Sequence, residues 1–431
     1  MTIYLLLTVL LIVLIVIGMP VGFAAGLAAF VGAGVFFGDI FDPRAATMIA
    51  RLALSKMDNF LLLAIPFFLL AGRLMNNGGI TERLFGFVSL LVRSIRGGLG
   101  HANVLASVMF AGMSGSATAD AVGLGQIEMK AMLSQGYDRK FSAGITAASS
   151  LIGPILPPSI VLVAYSVQAE VSVARIFFAA VVPALLLAAA YMSYVAYRAR
   201  KEGMPKGTRA TFSEIWPAFR LAILPILTPF IIMGGIYSGV FTPTEAAAVA
   251  AVYACFLGLV LYRAFGFNGL MREIRGTMID TAVVMLIIVF TSAFGVIMIR
   301  AQVPTALAEF LASLTSDGTV LMLLLMGLWL VVGCFMAQTP AVLILTPILM
   351  PIAERFNLDL IHFGVVMSLT LTLGMLTPPV GMVLYALTRV TGLRFEQLAV
   401  TAIPYLFLTV VVIVLLILFP QLVTALPNAL L

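Results

Sequence analysis

Two kinds of segment in this chain carry residues that suit a small cation, and neither suits covalent chemistry. One is the run Ser114-Gly115-Ser116-Ala117-Thr118, in which hydroxyls flank a glycine that lets the backbone turn tightly. The other is a proline break that occurs twice, as Gly153-Pro154-Ile155-Leu156-Pro157-Pro158-Ser159 and as Gly374-Met375-Leu376-Thr377-Pro378-Pro379-Val380. Proline lacks an N–H and clashes with the preceding turn, so a proline pair interrupts a helix. The ends it creates offer free carbonyls to a cation and free N–H groups to an anion. Ser149 and Ser150 precede the first break, Thr370, Thr372 and Thr377 surround the second, and Thr339 stands in a second tip, Ala337-Gln338-Thr339-Pro340. Neutral oxygens gathered in this way form a cage suited to Na⁺. The competing reading gives the small residues to helix packing and leaves each proline pair as a plain kink.

These segments sit in a chain of 431 residues that is 62% apolar and 10% charged, with mean hydropathy +1.16. That composition predicts a polytopic all-α membrane protein. Residues 1–18 lack a basic leader and run on past Pro20, so they read as the first span and not as a signal peptide. Apolar runs give ten crossings, near 2–18, 20–38, 59–77, 141–168, 173–197, 217–239, 243–264, 280–300, 361–389 and 398–425. Residues 102–134 and 318–356 read as re-entrant helical hairpins, and the small polar run at the tip of the first must face protein, water or an ion. The stretches 82–96 and 304–315 read as interfacial arms.

The two breaks lie 221 residues apart, the difference between Pro378 and Pro157. Sliding the chain by 221 aligns nine identities among the 47 positions from 112 to 158, including Gly112 with Gly333, Thr118 with Thr339, Asp138 with Asp359 and Gly153 with Gly374. Each half has five crossings, an odd number, which turns the second half over relative to the first. The predicted fold is two inverted-topology repeats, the construction of many ion-coupled secondary transporters. Residues 1–203 form the first repeat, with scaffold spans 2–38, and 217–431 the second, with scaffold spans 217–264. A hydrophilic linker, 204–216, joins them. Of 24 Lys and Arg residues, 17 fall on one face and 6 on the other, leaving Arg73; the rich face is cytoplasmic, and both termini are periplasmic.

The ionisable residues read as structural. Asp120 caps the second limb of the first hairpin, Glu245 and Asp280 start helices, and Arg73 snorkels toward the cytoplasmic face. The span centres hold no Asp/Glu/His chain for proton coupling. Two cysteines (Cys255, Cys334) and two histidines (His101, His362) exclude a disulfide framework and a Cys/His metal site. No Ser/His/Asp set, HExxH or paired intramembrane carboxylate points to an enzyme, and no cofactor is expected.

The runs Phe110–Asp120, Gly153–Ser159, Gly239–Ala248 and Gly374–Gly381, in this order, resemble the large membrane (M) subunit of TRAP (tripartite ATP-independent periplasmic) transporters over essentially the whole chain. The resemblance implies a Na⁺-coupled symporter subunit of a bacterial inner membrane that imports an organic acid by an elevator mechanism. It implies two partners, a small four-helix membrane subunit and a periplasmic substrate-binding protein. By motif, one Na⁺ site involves Ser114, Ser116, Ser149, Ser150 and Gly153, and the other Thr339, Thr370, Gly374 and Pro378. Gly115, Thr118, Pro157, Pro158, Thr377 and Pro379 then lie near the substrate. The second tip departs from the pattern by being poorer in hydroxyls. Open beside this reading are a stand-alone Na⁺/dicarboxylate or citrate symporter of similar fold and a non-coupled membrane scaffold or channel.

Overall fold

The computed structural model describes every residue except Met1, Ile40 and Pro205; the side chains of Thr2–Leu5 and Ser114 also lie outside the described ones. Twenty α-helices and no strand occur among the described residues. The first half holds α1 (Thr2–Val16), α2 (Val21–Phe37), α3 (Pro43–Met57), α4 (Ala64–Asn77), α5 (Ile80–Val92), α6 (Gly98–Ser114), α7 (Ala117–Ser134), α8 (Arg139–Ser149), α9 (Ile160–Ala169) and α10 (Val173–Lys201). The second holds α11 (Phe212–Tyr237), α12 (Pro243–Phe256), α13 (Phe267–Arg300), α14 (Val303–Leu314), α15 (Gly318–Phe335), α16 (Gln338–Arg355), α17 (Leu360–Gly374), α18 (Met382–Thr391), α19 (Phe395–Leu418) and α20 (Gln421–Leu430). Seven helical segments are long and apolar enough to cross a membrane, by length and composition. The first two crossings and the broken spans are built from shorter helices.

The capping grammar sets many of these boundaries. Asp138 and Asp359, 221 residues apart, accept from backbone N–H groups at the starts of α8 and α17. Asp317 does the same for α15, and its bonds from Thr319 and Val320 hold its carboxyl below the ordinary range. Adding 221 to the bounds of α7 gives 338–355, the bounds of α16. The arms α5 and α14 and the broken pairs α8–α9 and α17–α18 correspond within a few residues.

The halves part at α3–α4, whose counterpart is the single long α13. In the first half Asn59 stops the chain, accepting from Leu61 N–H at 2.9 Å, before a short tight turn leads into α4. The sequence did not announce α3. It also misplaced Asp280, which lies well inside α13 and starts no helix. The linker is shorter than 204–216: Glu214 bonds back to the Thr211 N–H at 2.7 Å, and this capping box starts α11 at Phe212. The last crossing stops at Leu418, and α20 follows Pro420 as a separate helix.

The packing joins the halves crosswise. α7 and α8 pack on α18, α8 on α19, and α9 on α16 and α17. Tyr165 of α9 donates to the Leu360 carbonyl at 2.6 Å, with its ring flush on Gly364, and Tyr191 of α10 bonds Thr409 of α19 at 2.7 Å. A second group forms where α4 packs on α12 and α2 on α13. The arms touch both groups: α5 packs on α7 and α4, as well as on α6 and α11, and α14 on α16 and α13.

Candidate ion and substrate site

At the first tip α6 ends on Gly115, whose φ of +58° is the left-handed conformation glycine allows. Ser116 caps α7, accepting from Ala119 N–H at 3.4 Å, and its hydroxyl lies 3.2 Å from that of Thr118. Asp120 is therefore not the cap; it is buried behind the tip. At the first break Ser159 closes the gap between α8 and α9. Its hydroxyl donates to the Pro154 carbonyl at 2.5 Å and accepts from Leu162 N–H at 3.3 Å. A Cβ on Gly115 would meet the Pro158 carbonyl oxygen at 3.2 Å, and one on Gly153 the Ser116 carbonyl oxygen at 3.5 Å, so tip and break touch.

The second tip reaches its break by other means. Ala337 supplies no capping side chain, and Gln338 instead donates to the Ser368 carbonyl of α17 at 2.9 Å. A Cβ on Gly333 would stand 3.2 Å from the Gly374 Cα, and one on Gly374 would overlap the Gly333 carbonyl carbon. Val380 N–H donates to the Cys334 carbonyl at 3.3 Å. Both Pro-Pro bonds are cis.

Between the tips lies a cavity of about 310 Å³. Ser116 and Ala337 line it, as do Ala117 and Gln338, Thr118 and Thr339, Pro154 and Met375, and Val161 and Met382. Each of these pairs is separated by 221 residues. Gly115 joins them, and Leu69, Asp280, Val283 and Val284 close the side facing α4 and α13.

Of the residues read from the sequence, Gly115, Ser116, Thr118 and Thr339 line this cavity. Ser149, Ser150 and Gly153 are buried by the first tip, and Thr370 and Gly374 by the second. Pro157, Pro158, Thr377, Pro378 and Pro379 are not among the lining residues. Ser150, Thr370 and Thr372 donate to carbonyls of their own turns, at 2.8, 2.7 and 2.7 Å, which leaves their lone pairs as acceptors. The backbone at Ser114 ends α6; its side chain lies outside the described ones.

Sequence reasoning missed a buried polar cluster behind the first site. Asn103 of α6 donates to Glu128 of α7 and to Thr146 of α8, both at 2.7 Å, and accepts from Ser149 at 2.7 Å. Nothing local singles the cluster out, because α6 and α7 also carry His101, Ser107, Asp120, Gln126 and Lys130. Arg73 was also misread. It does not run free to the surface; its Nε and Nη2 donate to Asp280 at 2.9 and 2.6 Å, and its Nη1 lies 3.6 Å from Glu273. The pair ties α4 to α13 beside the cavity.

A family model described as "Tripartite ATP-independent periplasmic transporter, DctM component" matches residues 8–422. The chain belongs to this DctM family. Among its relatives, the sialic acid TRAP transporter large permease protein SiaM of Vibrio cholerae is 44% identical, over 88% of this chain and 89% of that one. The sialic acid TRAP transporter permease protein SiaT of Haemophilus influenzae is 41% identical over 87% of this chain, which spans 61% of SiaT. The C4-dicarboxylate TRAP transporter large permease protein DctM of Pseudomonas aeruginosa is 37% identical over 90% and 91%. These relatives are named as permeases, not enzymes, and the DctM-family chain is likewise a large permease subunit, a multi-pass membrane protein. The solved structure of the Alcanivorax borkumensis YdaH transporter, described as having an unusual topology, aligns with a TM-score of 0.61 at 14% identity, covering 89% of this chain and 90% of that one. At that identity the likeness concerns fold alone.

Proposed function

We propose that this permease is the membrane-embedded half of a Na⁺-coupled importer of an organic acid in the bacterial inner membrane. One observation carries the reading: a single cavity is lined by five pairs of residues, each pair 221 apart, at two hairpin tips and two proline breaks. Two inverted repeats that approach one midplane site from opposite faces account for such pairing. Na⁺ binds where tip meets break, at Ser116, Ser149, Ser150 and Gly153 in the first half and at Thr339, Thr370 and Gly374 in the second. The bound ions and the helix N-termini at both tips offset the charge of the acid.

The crosswise packing of α7–α9 with α16–α19 makes hairpins and broken spans one body. That body slides as an elevator past the group of α2, α4, α12 and α13, with α5 and α14 as its arms. A small membrane subunit completes the scaffold, and a periplasmic binding protein delivers the acid. The termini lie on the periplasmic side, as the Lys and Arg distribution suggests. Relatives at 41% and 44% identity are named for sialic acid, so sialic acid is the first cargo to try, ahead of C4-dicarboxylates.

The test is reconstitution in liposomes with the small subunit and binding protein encoded beside this chain. An inward Na⁺ gradient is expected to drive uptake of the acid only when all three proteins are present. Uptake by the large subunit alone would favour a stand-alone symporter, and uptake indifferent to Na⁺ would remove the ion sites from the mechanism.

A further inference from the structure

A second chamber adjoins the central cavity, and of the proposed ion ligands only Ser116 reaches it. It has a volume of about 400 Å³ and is walled by Arg73, Asn76 and Asn77 of α4, Ser116 and Thr118 of the first tip, and Asp280 of α13. Ser116, Thr118 and Asp280 line the central cavity as well, so the two spaces share these walls. The central cavity has no Lys or Arg in its lining; in the chamber Arg73 is the one such residue.

The surroundings of Arg73 are built to hold it and still let it exchange partners. α13 presents Glu273, Gly276 and Asp280 on one face, spaced three and four residues apart. A Cβ at Gly276 would come within 2.5 Å of Nη1, so the glycine is what lets the guanidinium lie against the helix. Glu273 is buried and stays beside Nη1. Asp280, with its side chain 42% exposed, takes both Nε and Nη2 on one oxygen, Oδ2. That is a solvated pair and a poor use of the fork, which matches the two oxygens of a carboxylate. Asn76 accepts from Thr81 at 3.4 Å through its amide oxygen, which leaves its N–H groups as donors.

We propose that the chamber is a second station for the cargo's carboxylate, in which Arg73 and Asn76 bind the anion and Asp280 is the stand-in it displaces. Glu273 keeps the guanidinium compensated throughout. The station rests on the organic-acid reading above and adds where the acid goes when it leaves the hydroxyls of the tips.

The test uses the three-part liposome system, with sialic acid and then succinate as the exchanged acid, and reads the half-saturating internal acid for counterflow alongside the half-saturating Na⁺. Arg73→Gln combined with Asp280→Asn removes one charge of each sign and leaves buried Glu273 its bond from Arg272 Nε at 3.2 Å; it is expected to raise the half-saturating acid about tenfold or more, with the Na⁺ value unchanged. Arg73→Lys, which keeps the ion pair but loses the fork, is expected to fall between wild type and the double variant. Asp280→Asn alone removes the competitor and is expected to lower the half-saturating acid. If the double variant keeps the wild-type value, Arg73 is only a strut and the station does not exist. If the wild-type system shows no Na⁺-driven uptake at all, the organic-acid reading falls first, a result that the variants cannot mimic.

Discussion

At the first break Pro157 and Pro158 are buried and the facing tip brings Ser116 and Thr118; at the second Pro378 and Pro379 are exposed and the tip brings Thr339 alone among hydroxyls. The contrast extends behind the tips. Asn103, Glu128 and Thr146 form a polar knot in the first half, whereas the positions 221 later are Leu324, Leu349 and Met367. The second half replaces this knot with close backbone contact at Gly333 and Gly374, beside the one bond from Gln338 to Ser368. One architecture thus holds tip to break in two ways, with a knot of polar side chains on one side and, on the other, close backbone contact beside the single Gln338 bond. The proposed ion chemistry is correspondingly unequal.

Substitutions can break this comparison. The largest effect is expected from Gly374→Ala, because the new methyl overlaps Gly333 backbone that cannot rotate away. A loss of at least about 3 kcal/mol is expected, read as lost folded yield and melting temperature. Gly153→Ala, with its nearest neighbour at 3.3 Å, is expected to fold nearly normally. Equal damage at both would erase the distinction.

Asn103→Leu comes next. It strips partners from Glu128, Thr146 and Ser149 and is expected to cost about 2–4 kcal/mol in denaturant titrations. Copying the second half fully, as Asn103→Leu with Glu128→Leu and Thr146→Met, is expected to return stability to within about 1 kcal/mol of wild type. A triple variant worse than the single would mean that the knot is needed for more than mutual satisfaction.

Ser116→Ala removes a helix cap, at about 1 kcal/mol, and is expected to raise the half-saturating Na⁺ for uptake severalfold. Thr339→Ala is expected to shift it less; the reverse order would exchange the roles of the two sites. The smallest change is Tyr165→Phe, which loses the bond to Leu360 and is expected to lower stability by about 1 kcal/mol or less, without altering Na⁺ dependence.

Most of the architecture was legible in the sequence because prolines, glycines and capping aspartates punctuate it. The 221-residue offset located both hairpins and both breaks, and the bounds of α7 and α16 follow it to the residue. What stayed hidden depends on contact across the fold. Asp280 resembles a helix start until α13 is seen to begin at Phe267, and Arg73 resembles a snorkelling residue until Asp280 and Glu273 are placed opposite it. The Asn103 cluster joins residues up to 46 apart on three helices, and no local pattern marks such a meeting. The sequence places the hydroxyls of Thr370 and Thr372 at the second break, but their bonds to their own helix needed coordinates.

The Gly333–Gly374 contact has a mechanical consequence. Two backbones pressed together without side chains have no rotamer to change and no gap to close, so the backing behind Ala337 and Met375, which line the cavity, is stiff. The first side leaves room for a methyl, since a Cβ on Gly115 or Gly153 would stand 3.2–3.5 Å from the facing backbone, and it is backed by the Asn103 hydrogen bonds, which can lengthen and re-form. Under the proposed function, a cargo slightly too large for the cavity is expected to be accommodated on the first side only. The range of acid sizes taken up is then expected to follow the compliance of the Ser116 tip.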